Sequence, residues 1–186
     1  MTSHDPTLLL LLYFIMPLWL LAGVCDWLCH RKTHIEENAG LKEAFIHILM
    51  FSEMGIPLLA ALFLEINALI ILLMVVGFLL HEATALWDVS YSSTVRYISP
   101  VEQHIHSFLE MVPLMALLLV VTRHWDQALA LVGLGAAAAD FSLNLKSEPL
   151  PVPYIVTLLL AIVLLEILPF AEEFVRCFRK RGATEK

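Results

Sequence analysis

The stretch ALIILLMVVGFLLHEATALWD, Ala68 to Asp88, decides the fold class. From Ala68 to Leu80 it carries no charge, and an apolar run of ~20 residues is what a helix needs to cross a hydrocarbon core. His81, Glu82 and Asp88 then appear before the run has ended. Ionisable groups at the end of a membrane span are expensive there and point to function.

Similar runs lie on both sides. The sequence predicts spans over Leu8–His30, Glu43–Leu64, Ala68–Asp88, Val101–Val121, Gln127–Leu143 and Tyr154–Phe170, closed by a basic tail at 170–186. Helices are expected throughout, because only a helix or a closed barrel satisfies its own backbone inside lipid. The expected architecture is therefore an all-α integral membrane bundle of about six spans, a single membrane domain over residues 1–186. The hydrophobic share of 60% exceeds the ~45–50% usual in soluble domains. A net charge of −7 offers no basic surface for nucleic acid, which is excluded as a partner. Cys25, Cys29 and Cys177 form no CxxC pair and read as small apolar residues rather than a disulfide framework. The first apolar run outlasts a signal-peptide core and reads as a retained span.

An up-and-down bundle brings the end of span one, the start of span two, the end of span three and the start of span four to one membrane face. Those four ends carry the ionisable side chains. Residues four or seven apart share a helix face. Asp26, His30 and His34 form such a stripe, as do Glu43 and His47, His81 and Asp88, and Glu102, His106 and Glu110. Carboxylates gathered in an apolar setting repel one another or hold their protons. Divalent metal ions remove that conflict, and imidazole with carboxylate suits Fe, Zn or Mn. So many donors exceed one tetrahedral site and fit two metal ions, iron foremost, with zinc or manganese as alternatives. Di-iron bundles use four facing helices by the same logic.

Glu53 and Glu110 are the deep acids and the candidate catalytic proton carriers. Glu82 lies a step off the His81/Asp88 line. His104 points away from His106. Asp140 is a candidate extra ligand or orienter from the fifth span. Glu65 and Glu166 read as local helix-end groups toward the other face, His4 and His124 as solvated or interfacial, and Tyr91 and Arg96 as ordinary residues of a loop above the site, with contact to substrate or to the site's ligands as their alternative.

DWLCHRKTH, Asp26 to His34, resembles the first histidine box of the membrane fatty acid hydroxylase and sterol desaturase superfamily, in which an Asp precedes an HR-x-x-H element at a span's end. Asp26, His30, Arg31 and His34 match that box. The resemblance implies a di-iron centre that activates O2 against a lipid chain. The superfamily's HxxHH boxes are absent; the nearest stretches, His81-Glu82 and EQHIH at Glu102 to His106, are different motifs.

The expected function is a dinuclear metal oxidoreductase acting on a hydrophobic, lipid-like substrate, with membrane lipid around it and an electron donor as partner. A zinc hydrolase with Glu82 as base, a haem-carrying electron-transfer bundle using pairs of His30, His47, His81 and His106, and a metal transporter are the alternatives. Orientation stays open, since with six spans the basic tail lies opposite the other basic loops. A fifth segment that only dips into the membrane would place them together.

Overall fold

The computed structural model describes residues 5–184; His4 falls outside them. The chain is a multi-pass integral membrane protein. Among the described residues five helices are long and apolar enough to cross a membrane: α1 (Pro6–Thr33), α2 (Gly40–Phe63), α3 (Ala68–Val95), α4 (Pro100–Arg123) and, after a short α5 (Trp125–Leu131), α6 (Val152–Gly182). Leucines such as Leu79, Leu80 and Leu86 stand exposed on the outside, as a lipid-facing surface requires.

The structure differs from the six-span expectation at 127–143. That stretch is not among the helices long and apolar enough to cross. Its helix ends at Leu131, and Gly133 and Gly135 take positive φ of 74° and 83°, a left-handed conformation that breaks a helix. The chain then lies across the α2–α3 turn. Glu65 N donates to Asn144 O, Lys146 N to Phe63 O, and Asn67 Nδ2 to Ser142 O. Gln127 ties this cap together, accepting from Ala68 N and Asp140 N. Most of the basic tail is helical and forms the C-terminal end of α6.

Both α1 and α6 contain a π-helical turn, at Leu11–Ile15 and Val163–Ile167. A proline in a helix clashes with the carbonyl four residues back. For Pro17 and Pro169 those carbonyls belong to Tyr13 and Leu165, within the two π turns, where the wider winding accommodates the ring. The extra residue also rotates the downstream part of each helix by ~100° relative to an unbroken α-helix.

α2 and α3 pack most extensively, with α1 against α4 and α6 against α2. At Gly77 a side chain is excluded: a Cβ would sit 2.6 Å from Pro57 Cγ and 2.8 Å from Glu53 O. Toward the membrane face where α1 begins, Leu12, Ile15, Met16, Leu62, Val112, Ala116, Leu150 and Leu158 form the apolar core. At the opposite face Ile35, Ala44 and Cys177 form a smaller one, which fastens the end of α6. Cys177 is thus the buried apolar thiol expected, whereas Cys25 is exposed.

Candidate metal centre

α1, α2, α3 and α4 bring their polar ends together where α1 stops and α2 begins. Asp26, His30, Glu43, His47, Asp88, Glu102 and His106 are all buried there. His30 Nε2 lies 3.5 Å from Asp26 Oδ1, 3.5 Å from Glu102 Oε1 and 3.9 Å from Glu43 Oε1. His106 Nε2 lies 3.0 Å from Asp26 Oδ1, and His47 Nε2 lies 3.6 Å from Asp88 Oδ2.

These separations are telling because they are mostly not hydrogen bonds. Asp26 Oδ1, His30 Nε2, His47 Nε2, Asp88 Oδ1 and Glu102 Oε2 are buried without a hydrogen-bond partner, while Glu102 Oε1 faces the Arg96 guanidinium. Most buried polar atoms have one. Donor atoms bound at ~2.0–2.2 Å to a shared tetrahedral ion stand ~3.3–3.6 Å apart, so the spacing suits neighbouring ligands of a cation. Two groups meet the requirement together: Asp26, His30 and His106, and His30, Glu43 and His47, with the ligand atoms of each group within 4.8 Å of one another. The residues present therefore fit a metal centre.

Glu173, from the end of α6, completes the arrangement. Its Oε2 lies 3.1 Å from His30 Nδ1 and its Oε1 2.8 Å from His47 Nδ1. A carboxylate only accepts, so both Nδ1 atoms donate and both Nε2 lone pairs are freed toward the cluster. This is the outer-shell arrangement that commonly orients metal-ligating histidines. Arg96, just after α3, pairs with Glu43 and, at 2.6 Å, with Glu102. Burial alone would lower its pKa, but the two carboxylates outweigh that and raise it above the ordinary arginine value.

The other predicted site residues fall elsewhere. α1 ends at Thr33, and His34 takes a left-handed φ of 52°. Its imidazole turns out to solvent beside Glu36 at 3.3 Å, so His34 does not join the cluster that a longer helix would have given it. His81 Nε2 faces the carbonyl of Leu109 at 3.4 Å and is not among the clustered donors. Glu110 is half-buried beside a cavity below the cluster. Glu53 accepts from Thr84 Oγ1 at 2.8 Å, facing α3. Asp140 is exposed in the cap at the far face, because the stretch carrying it packs across the α2–α3 turn.

No family model, curated protein or solved structure matches the chain. The hydroxylase-like box is half used by the cluster, with Asp26 and His30 inside it and His34 outside.

Three residues at or beside the cluster depart from the sequence expectation. Glu173 belongs to the stretch that reads as a tail, although Phe170, Phe174 and Cys177 continue an apolar stripe at helical spacing through it. Arg96 reads as an ordinary loop residue. Glu166 reads as a group of the other face, yet it is buried beside Gly23, where a Cβ would lie 2.2 Å from Glu166 Oε2. It sits in the π turn, which changes the helix face that regular spacing predicts.

An apolar cavity of about 150 Å³ opens directly beneath the cluster. Asp26, His47, Asp88 and His106 line its upper end, and Met50, Met54, Phe51 and Leu58 line its walls.

Proposed function

We propose that the chain is a membrane metalloenzyme whose cluster holds two metal ions, iron in the leading case, and oxidises a hydrophobic substrate admitted to the adjoining cavity. The observation that carries this is the set of buried, unpartnered imidazole and carboxylate atoms from four spans, with Glu173 fixing two of the histidines. Charge supports two ions over one. Asp26, Glu43, Asp88, Glu102 and Glu173, when ionised, set five negative charges against the single guanidinium of Arg96. Two divalent ions neutralise the remainder, which a low-dielectric setting demands.

Bound there, iron would supply a redox centre able to reduce O2. The chain's own residues would do the rest. Asp26, His30, Glu43, His47, Asp88, Glu102 and His106 would hold the ions. Glu173 would keep both imidazoles in the Nδ1–H tautomer. Arg96 would hold Glu43 and Glu102 in place. The Met and Phe walls would exclude water and admit an alkyl chain, and Glu110, which lines the cavity, would carry a proton.

A second reading draws on the three-donor group Asp26, His30 and His106, since catalytic zinc is usually held by three protein ligands. That would make the chain a zinc hydrolase. Haem fits less well, because His30 and His47 stand side by side with one shared orienter, whereas axial ligands approach an iron from opposite sides. Elemental analysis of protein purified without added metal tests both readings. Iron near two per chain with a Mössbauer signature supports the oxidoreductase, and zinc without iron supports the hydrolase. Metal-free protein from every preparation would end both.

A further inference from the structure

The cavity beneath the cluster has a neighbour. A second cavity of about 290 Å³ lies deeper, toward the membrane face where α1 begins. Met16, Trp19, Met54 and Leu58 line both, so these four side chains form the partition between them. Together the volumes reach the ~300–1,000 Å³ range of ligand sites. Flexible Met side chains make a partition that a chain could part.

The far end of the second cavity is polar, lined by Glu65, Arg123, His124, Lys146, Ser147 and Glu148, with Glu65 accepting from the amide and hydroxyl of Ser147. Arg123 is paired with Asp5. Lys146 is half-buried and makes no ion pair within 4 Å among the described residues. Burial pushes its ammonium below the usual lysine value, against the pull of Glu65. A half-buried cation at the mouth of an apolar cavity is a place for an anion. The near end, by contrast, is the His/carboxylate cluster. Along α4 the rise from His106 to Arg123 is ~26 Å, close to a full hydrocarbon core.

We propose that the two cavities form one site for a single-chain anionic amphiphile, its head at Lys146 and its tail passing Trp19 to end beneath His47 and His106. The head is bound at the face opposite the cluster, so the cluster meets the far end of the chain and not the carbons beside the head. The binding geometry stands independently of the metal; only the fate of the chain's end rests on the function proposed above.

Fatty acids brominated at defined carbons test it, added to the full chain in nanodiscs, since bromine quenches nearby tryptophan. The difference between wild type and Trp19→Phe isolates Trp19. Saturable quenching is expected, stronger for a mid-chain bromine than for one beside the carboxylate. Lys146→Glu, a substitution in a surface cap, should raise half-saturation at least tenfold. Ala116→Phe, in the wall of the deeper cavity, should abolish saturable quenching. Quenching that ignores bromine position, or that Lys146→Glu leaves unchanged, overturns the proposal. His106→Ala separates the two ideas: it should lose metal and keep the quenching. Metal-replete protein without saturable quenching removes the amphiphile site and leaves the metal centre. Saturable quenching in protein that never binds metal does the reverse.

Discussion

The imidazoles of His30 and His47 lie face to face, ring centroids 4.5 Å apart and 3° from parallel. Two cationic rings would repel in that arrangement. Two neutral rings sharing one carboxylate do not, and Glu173 bridges their Nδ1 atoms. Loss of an orienting outer partner typically weakens metal binding ~10–100-fold. Glu173→Gln should therefore lower metal affinity by one to two orders of magnitude while the bundle still folds. Titration against a chelating indicator measures this; unchanged affinity would remove Glu173 from the centre.

The cluster distinguishes histidines that the sequence treats alike. His47→Ala and His106→Ala should each lower metal stoichiometry, whereas His34→Ala should leave it at the wild-type value. Elemental analysis of the three variants side by side checks this. Equal losses in all three would mean that the left-handed turn at His34 does not keep its ring out of the site.

Metal should stabilise the fold. A ligand that binds only the folded state adds ~2.7 kcal/mol at a hundredfold excess over its Kd. Adding iron or zinc to chelated protein should raise the thermal midpoint by several degrees, and His106→Ala should blunt the rise. An unchanged midpoint in the wild type would contradict a filled centre.

The α2–α3 contact has no room at Gly77. Forcing extra atoms into a packed core costs ~1–3 kcal/mol, and the obstacles here include the backbone oxygen of Glu53 as well as Pro57. Gly77→Ala should lose stability in that range. Gly55→Ala is the control, since its Cβ would meet nothing nearer than Phe51 at 4.0 Å. Unfolding in mixed detergent compares the two.

Five crossings by the five candidate spans would put the end of α6 at the same face as the cluster. Arg31, Lys32, Lys42 and Arg96 are there, and Arg176, Arg179, Lys180 and Arg181 join them. Arg123 and Lys146 lie at the other face. On that arrangement the positive-inside rule predicts that the cluster face is cytoplasmic. A C-terminal reporter should be active on the cytoplasmic side only, and an opposite result would reverse the orientation.

Much of the fold and of the centre was legible in the chain itself. The spans at 68–88 and 101–121 are marked by apolar runs long enough to cross lipid, and α3 and α4 cover them. Asp26, His30, Glu43, His47, Asp88, Glu102 and His106 could be named because helical spacing and connectivity both bring them to one face. His34 could not be separated from them, because a single backbone conformation at the helix end decides where its ring points. Glu173 and Glu166 lay beyond reach for a related reason. The π turn at Val163–Ile167 changes helix phase, and no regular period crosses it.

The sequence by itself determined that this is a helical membrane protein with imidazoles and acids at one end, since burial of apolar runs and helical periodicity are local properties of the chain. Only the tertiary structure decided that the stretch at 127–143 caps the bundle, that α6 ends at the cluster, and that Glu173 and Arg96 hold it. Those outcomes depend on which distant segments compete for the same backbone hydrogen bonds and the same buried charge, and that competition is settled only when the helices pack.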